Sequence, residues 1–515
     1  MKTEIIRIDT ENIDYDKIKY AGNVLKNGGL VAFPTETVYG IGANALNSEA
    51  VKNIFIAKGR PADNPLIAHI SDFAQLDMLA TKVPESAKKL ISAFWPGPLT
   101  IIFQKFPNIP NEVTAGLDTI AVRMPLHQVA LALIDVAGVP IAAPSANISG
   151  LPSPTCSEDV IEDLYGRVDI IIDSDNSIIG VESTVLNLSN SSPIILRPGA
   201  ITAEQISSVI GSKISYIENQ NTIASNKSPL CPGIKYSHYS PEAEVIVIQG
   251  NLDNIRDSIY KLVKEYERKK LKTGILSTKQ TNSYYSGFDN VICLGDRNNP
   301  ETISASLFKA LRNMDRLGAD IVFAEGIPET GLGVAIMNRL KKSAGNKVLN
   351  SDDPDSLDSF IKNHKDKILF ICTGNTCRSC MAEAIFNNLN NELYKKPYEA
   401  FSRGIYATGG AASGNAMAVT QKLYSIDLSN HLSKTITASD LRKSKIALTM
   451  TKAHKEALLR AFPIHKQKIY TLSEYVNCGS EKEQDILDPY GMAINKYNDC
   501  AKQIAVLIER LIEKL

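Results

Sequence analysis

The short segment Cys372–Arg378 (CTGNTCR) constrains this 515-residue chain more than any other. It follows an apolar run that is typical of a buried strand, and it precedes a stretch with Met381, Ala384 and Ile385 at helical spacing. A strand, a short Gly-Asn loop and a helix in this order predict a phosphate-binding loop, because loop N–H groups and a helix N-terminus both attract anions.

The spacing of Cys372 and Arg378 suits phosphoryl transfer. The loop between them can wrap its backbone N–H groups around phosphoryl oxygens while the guanidinium binds two of these oxygens. The same positive field favours a thiolate, so Cys372 is the predicted nucleophile, with Ser379 as a hydrogen-bond donor to its sulfur. The predicted phosphate-binding residues are Gly374, Asn375, Thr376, Cys377 and Ser379. The alternative is a buried structural cysteine beside an incidental arginine.

This segment resembles the low-molecular-weight protein tyrosine phosphatase family, whose signature C-x-G-N-x-C-R-S is matched by Cys372–Ser379. The resemblance runs from Lys367 to about Leu515 and includes Asp488-Pro489-Tyr490. It implies a central parallel sheet with a Cys-x5-Arg phosphate loop, and a cysteinyl-phosphate that forms without a cofactor. It also implies that Asp488 protonates the leaving group and then activates the water that hydrolyses the intermediate.

Two positions depart from the usual pattern of that family. Thr376 stands where tyrosine phosphatases usually carry a larger aliphatic side chain, as in the protein-arginine phosphatase branch, so we expect phosphoproteins with phosphoarginine to be preferred over phosphotyrosine. Cys380 stands where the family normally has proline. The resemblance implies that Cys377 can form a disulfide with Cys372, and the third thiol leaves that pairing open.

A second group of polar segments lies in the first 200 residues of the chain. Lys58, Arg60 and Arg123 could neutralise a triphosphate, while Ser145 and Asn147 could supply directional hydrogen bonds. The chain has no Walker-type loop, so a nucleotide would need a different binding mode. The alternative is that these residues are ordinary surface charges and turn residues.

The triplets Lys58-Gly59-Arg60 and Ser145-Ala146-Asn147 match the K-x-R and S-x-N signature of the YrdC-like domain. Together with Cys231–Pro241 (CPGIKYSHYSP) and Gly331–Leu340 (GLGVAIMNRL), they make residues 1 to about 348 resemble the two-domain threonylcarbamoyl-AMP synthases. The resemblance implies that L-threonine, bicarbonate and ATP with Mg²⁺ give threonylcarbamoyl-adenylate and pyrophosphate. A separate tRNA threonylcarbamoyl-transfer complex would receive the product.

The resemblance also assigns residues to each substrate, with Lys58 and Arg60 in catalytic roles. L-Threonine is expected near Thr35, His69, Arg123, Ala143 and Ser183. ATP is expected near Lys58, Thr119, Ser145, Asn147, Ser153, Arg197 and Tyr239. The segment around Lys235, Tyr236, His238 and Tyr239 is expected to fold over the site and exclude water from a labile adenylate.

The sequence predicts an α/β protein with three domains. A YrdC-like α/β domain is expected over residues 1–210 and a small Rossmann-like accessory domain over 244–348, where strand-like and helix-like runs alternate as in a parallel sheet. The phosphatase domain is expected over 367–515. Two polar stretches, 211–243 and 349–366, are the predicted linkers.

Composition excludes several classes of protein. The chain is 44% hydrophobic and 22% charged, which is typical of a globular protein, and its eight cysteines are too sparse for a disulfide scaffold. No apolar run is long enough for a membrane span and no metal-site spacing occurs, so we expect a cytoplasmic protein without a membrane partner.

Two other readings of the chain stay open. In the first, the chain is a tRNA-binding protein with a phosphotyrosine phosphatase domain, but the residues before 366 carry a net charge of −5, which disfavours an RNA surface. In the second, the phosphatase region is only a binding module for phosphoproteins.

Overall fold

The computed structural model describes residues 2–188, 193–217, 239, 241–363, 365–477 and 484–515. The chain divides into two compact units. The larger unit comprises Met1–Arg268 with Lys272–Asp353, and the smaller unit comprises Pro354–Leu515 with Lys269–Leu271.

A mixed sheet forms the N-terminal lobe of the larger unit, which we define as residues up to 217. Its strands are β1 Glu4–Arg7, β2 Val31–Phe33, β3 Gly40–Asn44, β4 Ile67–His69, β5 Leu99–Gln104, β6 Thr119–Arg123, β7 Ile141–Ala142, β8 Ile170–Asp173, β9 Thr184–Asn187, β10 Ile194–Arg197 and β11 Ser215–Tyr216. Their order in the sheet is β1-β8-β2-β3-β7-β4-β6-β5-β9-β10-β11.

Short helices pack on this sheet, and its apolar side chains are buried in three core clusters. They are α1 Tyr15–Lys26, α2 Ser48–Lys58, α3 Phe73–Asp77, α4 Glu85–Phe94, α5 Asn111–Thr114, α6 Gln128–Ala137, α7 Ser157–Leu164 and α8 Ala203–Ile210. Helix α2 begins where the Asn47 side chain accepts hydrogen bonds from two backbone N–H groups, and it ends at Gly59 in the left-handed conformation. These caps make Lys58 the last residue of the helix.

A fully parallel five-stranded sheet forms the second lobe of the larger unit, residues 244–350. Its strands are β12 Glu244–Gln249, β13 Thr273–Ser277, β14 Val291–Cys293, β15 Ile321–Glu325 and β16 Val348–Asn350, in the order β14-β13-β15-β12-β16. The helices are α9 Leu252–Arg268, α10 Pro300–Arg316 and α11 Leu332–Ser343. The regular alternation of strands and helices therefore predicted the sheet type correctly.

The two segments that we predicted as linkers contain secondary structure. Strand β11 pairs in parallel with β10, inside the first of them, while residues 218–238 and 240 lie outside the described part of the chain. The second contains the end of β16 and then helix α12 Pro354–Asn363. Its polar composition arises because this helix is amphipathic and short, with Asp355 in its first turn and Lys362 in its last.

A fully parallel four-stranded sheet forms the centre of the smaller unit, as expected. Its strands are β17 Asp366–Cys372, β18 Tyr398–Gly404, β19 Ser444–Thr449 and β20 Ile469–Thr471, in the order β18-β17-β19-β20. The remaining helices are α13 Arg378–Leu389, α14 Gly414–Tyr424, α15 Ala438–Lys443, α16 Lys452–Ala461, α17 Leu472–Asn477 and α18 Ile494–Lys514. The central strand β17 is followed by a five-residue loop and then by α13, which is the predicted strand, loop and helix.

None of the described helices has the length and apolar character that crossing a bilayer requires.

Candidate functional sites

A pocket of about 680 Å³ in the larger unit brings together most of the residues expected to bind L-threonine and ATP. It lies where strands from distant parts of the sequence end side by side. Of the predicted residues it is lined by Thr35, Arg60, His69, Arg123, Ala143, Ser145, Asn147, Ser153, Ser183, Arg197 and Tyr239.

The register of β4 and β6 places His69 directly opposite Arg123. The Arg123 guanidinium is 2.6 Å from the Glu36 carboxylate and donates to the Thr37 hydroxyl (2.9 Å) and to the Gly97 carbonyl (3.2 Å). Both members of the ion pair are buried. The positive charge of Arg123 is therefore already balanced inside the protein, which sequence reasoning did not foresee.

His69 is a neutral imidazole in this pocket. Burial, together with the nearby Arg123 charge, lowers the pKa of His69 to about 3. Its Nδ1 lies 3.2 Å from the Ile67 carbonyl oxygen. His69 can therefore serve as a hydrogen-bonding group in the pocket at pH 7 but not as a cation.

Lys58 does not line the pocket, and it binds instead to two residues that do. Its Nζ donates to the carbonyl oxygens of Ser145 and Asn147, the latter at 2.7 Å, and the Asn147 side-chain oxygen lies 3.4 Å away. Burial, and then the Arg60 charge, lower the pKa of Lys58 well below its usual value. Lys58 therefore supports the Ser-Ala-Asn turn, and Arg60 is the member of the K-x-R triplet that lines the pocket.

Thr119, which is expected near ATP, does not line the pocket. It begins β6, whereas Arg123, which lines the pocket, ends the same strand. Consecutive strand residues advance by about 3.3 Å, so the two ends of β6 are roughly 13 Å apart.

Sequence reasoning missed Glu182 as a site residue, although it lies beside Ser183. The Ser153 hydroxyl donates to Glu182 Oε1 (2.6 Å), and Arg339 Nε of the second lobe donates to Oε2 (2.8 Å). Burial acts to raise the pKa of Glu182, but the Arg339 and Arg197 charges outweigh it and hold this pKa at about 2. Arg339 is 157 positions away in the chain, so no local pattern could have revealed the pair.

Ser183, which is assigned to threonine, is hydrogen-bonded to Arg197, which is assigned to ATP. Arg197 donates from Nε to the Ser183 carbonyl and from Nη2 to its hydroxyl, both at 3.0 Å. The same hydroxyl lies 2.7 Å from that of Thr100. Displacing either residue would therefore disturb both parts of the pocket.

Of the segment expected to cover the pocket, Lys235, Tyr236 and His238 lie outside the described residues. Tyr239 is described and buried, and its ring stacks on that of Phe308 with the ring centres 5.0 Å apart.

The second site is the phosphate loop of the smaller unit. The buried Cys372 Sγ lies 3.1 Å from the Ser379 hydroxyl and accepts a hydrogen bond from the Asn375 backbone N–H (3.3 Å). The expected contact of Ser379 with the sulfur is thus present. Donors around the sulfur stabilise a thiolate relative to a thiol.

Asn375 holds this loop in shape. Its φ of +57° lies in the left-handed region, which asparagine tolerates better than most side chains. Its side-chain amide donates to the hydroxyls of Ser379 (3.0 Å) and Ser402 (2.7 Å), and its side-chain oxygen accepts from the Lys434 N–H (3.0 Å). Ser402 and Lys434 are support residues that the sequence motif alone did not identify.

The predicted acid Asp488 is adjacent to the loop. Arg378 Nη2 donates to its carboxylate at 2.6 Å, and Nη1 donates to the Ile486 carbonyl (3.3 Å). The Asp488 side chain is half exposed, whereas that of Arg378 is buried. The ion pair therefore places an accessible carboxyl group beside the guanidinium that is expected to hold phosphate.

Thr376 and Cys377 complete the loop. Thr376 Oγ1 lies 3.7 Å from the Cys377 sulfur, which is also 3.3 Å from the Ser413 hydroxyl and 3.4 Å from that of Tyr497. Cys380, the third thiol, donates to the Cys377 carbonyl (3.0 Å). Burial raises the pKa of Cys380 well above its usual value, which disfavours its thiolate.

Family models match the chain in three consecutive regions. The model described as telomere recombination matches residues 23–199, and the model described as threonylcarbamoyl-AMP synthase, C-terminal domain, matches 201–345. The model described as low molecular weight phosphotyrosine protein phosphatase matches 367–515.

Relatives of known name match the larger unit. The threonylcarbamoyl-AMP synthase of Pyrococcus abyssi is 50% identical over 340 residues, covering 66% of this chain and 97% of the relative. That of Bacillus subtilis is 48% identical over 334 residues, covering 65% of this chain and 94% of the relative.

The crystal structure of P. abyssi Sua5 complexed with L-threonine is 48% identical to this chain, with a TM-score of 0.64, and the match covers 68% of this chain and 99% of that one. The identity and the coverage both relate the first two thirds of this chain to these synthases, and the pocket contains most of the residues predicted to bind their substrates. The chain therefore belongs to the threonylcarbamoyl-AMP synthase family, and a low-molecular-weight phosphatase domain follows the synthase region in the same chain.

Proposed function

We propose that this chain is a bifunctional enzyme that makes threonylcarbamoyl-adenylate from L-threonine, bicarbonate and ATP, and that also dephosphorylates proteins. The observation that carries the first activity is the pocket itself, because it unites eleven of the predicted site residues from seven separate chain segments. The product is a substrate for a separate tRNA threonylcarbamoyl-transfer complex.

The threonine part of the pocket is the region around His69, Arg123 and Ser183. A relative 48% identical to this chain was solved in complex with L-threonine, which supports threonine as the substrate. A neutral imidazole and a hydroxyl provide directional hydrogen bonds for the amino acid. Because Arg123 is already paired with Glu36, its contact with a carboxylate would be a shared one.

The chemical step joins two anions. A carbamate oxygen of carboxylated threonine attacks the α-phosphorus of ATP, and pyrophosphate leaves. Arg60 and Arg197 line the same pocket and offset this repulsion, and binding both reactants in one pocket favours their reaction.

Mg²⁺ is proposed only as the ion that accompanies ATP. Among the described residues there is no group of three or more histidine, cysteine or carboxylate side chains arranged to hold a metal. Glu182, which lines the pocket, and Glu36, which pairs with the pocket residue Arg123, are already bound to arginines. The ion would therefore be held by phosphate oxygens rather than by a protein cage.

Pyrophosphate release tests the synthase proposal. Release should require ATP, threonine and bicarbonate together, and it should fall at least about 100-fold in Arg60→Ala, which removes one of the cations that line the pocket. Lys58→Ala should also impair it, because the Ser-Ala-Asn turn loses its support. Release that does not depend on threonine, or that survives both substitutions, would refute the proposal.

The phosphatase proposal rests on the geometry of the second site. The Cys372 sulfur attacks phosphorus, the S–P bond forms as the bond to the leaving group breaks, and Asp488 gives the leaving group its proton. Asp488 then takes a proton from water, whose oxygen attacks the cysteinyl-phosphate and restores the Cys372 thiolate. Arg378 and the loop N–H groups hold the phosphoryl oxygens throughout.

We further propose phosphoarginine as the preferred substrate. The Thr376 hydroxyl is a small polar group on the loop, and the half-exposed Asp488 carboxyl group can accept a hydrogen bond from a phosphoguanidinium with one oxygen and donate its proton from the other. Thr376→Ile should therefore lower kcat/KM for phosphoarginine peptides relative to phosphotyrosine peptides by roughly 10-fold. Cys372→Ser is the inactive control for both substrates. A wild-type preference for phosphotyrosine, or an unchanged ratio, would contradict the proposal.

A further inference from the structure

Side chains of the second lobe hold the wall of the synthase pocket. The Ser304 hydroxyl donates to the Ile179 carbonyl (2.6 Å), three residues before Glu182. Arg312 donates from Nε and Nη2 to the Pro152 carbonyl (3.1 and 2.6 Å), immediately before Ser153. Two segments of the pocket wall are thus attached to the second lobe.

The two lobes approach closely beside these segments. A Cβ atom on Gly180 would lie 2.2 Å from the Ser304 carbonyl oxygen and 2.5 Å from the Ala305 Cα. Gly180 also has a φ of +77°, which favours glycine. The backbones of the two lobes therefore meet at a fixed distance next to the pocket.

Arg339 of the second lobe forms an ion pair with a pocket residue of the N-terminal lobe. Its side chain is fully buried, and its Nε donates to Glu182, which lines the pocket and accepts from the Ser153 hydroxyl. Desolvating two charges offsets most of their attraction, so a buried ion pair contributes little net stability. What such a pair does fix is geometry, because each charge must stay where the other can reach it.

Tyr239 connects to the same pair. Its ring packs against Phe308 and lies 5.8 Å from the Arg339 guanidinium. Burial raises the pKa of Tyr239, and the Glu182 charge and a hydrogen bond to Glu182 raise it further. Glu182 is therefore a common anchor for Ser153 and Tyr239, two residues assigned to ATP.

We propose that the second lobe completes the ATP part of the synthase pocket and that Arg339 is its positioning residue. Arg339 fixes the Glu182 carboxylate, and Glu182 fixes Ser153 and Tyr239. Arg339 itself touches no reacting atom. The inference rests on the proposed synthase function.

The test measures KM for ATP and KM for threonine separately in the full-length protein. Arg339→Met should raise KM for ATP about 10-fold or more and leave KM for threonine within about twofold, because the anchor serves the ATP part. Arg339→Lys, which keeps the charge, should restore part of the loss. A KM for ATP that is unchanged in Arg339→Met, or that rises together with KM for threonine, would overturn the proposal.

Arg316 offers a matched control. It also joins the lobes, through Asp159 and Glu162, but neither carboxylate lines the pocket. Arg316→Ala should leave both KM values within about twofold of wild type. A rise in KM for ATP equal to that of Arg339→Met would show that any loosening of the lobes has the same effect, and would overturn the specific role of Arg339.

A double variant separates positioning from misfolding. Arg339→Met combined with Glu182→Gln removes both charges of this pair, so neither is left buried without the other. The variant should fold, yet its KM for ATP should remain raised. A double variant with wild-type KM for ATP would overturn the proposal. If wild type shows no threonine-dependent pyrophosphate release, the proposed function fails, and the role of Arg339 is then decided by the ATP dissociation constants of wild type and variant measured calorimetrically.

Discussion

Arg123 and Lys58 show that individual charges in the synthase pocket are already used inside the protein. The sequence suggested three cations available to a triphosphate, but Arg123 is paired with Glu36 and Lys58 with two carbonyl oxygens. The pocket is therefore closer to neutral than the sequence suggests. Directional hydrogen bonds, rather than a large excess of positive charge, must distinguish its substrates.

The Arg123–Glu36 pair leads to a stability prediction. Arg123→Met should lower the free energy of unfolding of the larger unit by about 3 to 5 kcal/mol, because Glu36 is left buried without its partner. Adding Glu36→Gln should recover most of this loss. Urea unfolding of the single and double variants checks both statements, and equal losses in the two variants would show that the pair is not coupled.

His454 makes the smaller unit sensitive to acid. Burial, together with the Arg378 charge, lowers its pKa to about 4, and its Nε2 is 2.8 Å from the Thr373 hydroxyl. Below about pH 6.5 the unfolded chain binds a proton at this histidine, whereas the folded chain does not until about pH 4. The folded state therefore loses the stability that neutral His454 provides as the pH falls from about 6.5 to about 4.

Between pH 7 and pH 5 this histidine should remove about 2 kcal/mol from the free energy of unfolding of the smaller unit. Hydrogen exchange of β17 amides in wild type and His454→Gln, at both pH values, measures the effect. An identical pH dependence in the variant would contradict the assignment.

At the scale of elements, the end of β18 sets the shape of the phosphate loop. Gly404 pairs with Cys372, and a Cβ atom on it would lie 2.8 Å from the Thr373 carbonyl oxygen and 2.9 Å from the Asn375 nitrogen. Both atoms belong to loop backbone, which cannot move without displacing the N–H groups that face the Cys372 sulfur.

Gly404→Ala should therefore reduce phosphatase kcat/KM at least about 10-fold, on the scale by which misplaced catalytic groups lower rates. Gly414→Ala is the matched control, since no atom lies within 4 Å of its added Cβ. Assays of both variants on one phosphopeptide check the prediction. Equal activities would show that the loop tolerates the displacement.

The elements also show what a sequence can and cannot predict. The strand, phosphate loop and helix were predictable because their residues are contiguous and their periodicity is strong. The Glu182–Arg339 pair and the Ser402 contact with Asn375 were not, because each depends on chain segments that meet only in the fold. Helix α12 was missed because a short, polar, amphipathic helix resembles a linker in composition.

At the scale of the whole molecule, the two sites lie in different compact units. Each site draws its described hydrogen-bond partners from its own unit, so the two activities should be separable by single substitutions. Cys372→Ser should abolish phosphatase activity and leave threonine-dependent pyrophosphate release within about twofold of wild type. Arg60→Ala should do the reverse. A loss of both activities in either variant would show that the sites are coupled.

The larger unit is proposed to make threonylcarbamoyl-adenylate. The most direct test is mass spectrometry of the products formed by the full-length protein from ATP, bicarbonate and isotopically labelled threonine. We expect an adenylate that carries the threonine label and one carbon from bicarbonate, in wild type and in Cys372→Ser but not in Arg60→Ala. The absence of this adenylate from the wild-type reaction, or its formation by Arg60→Ala at the wild-type rate, would contradict the account.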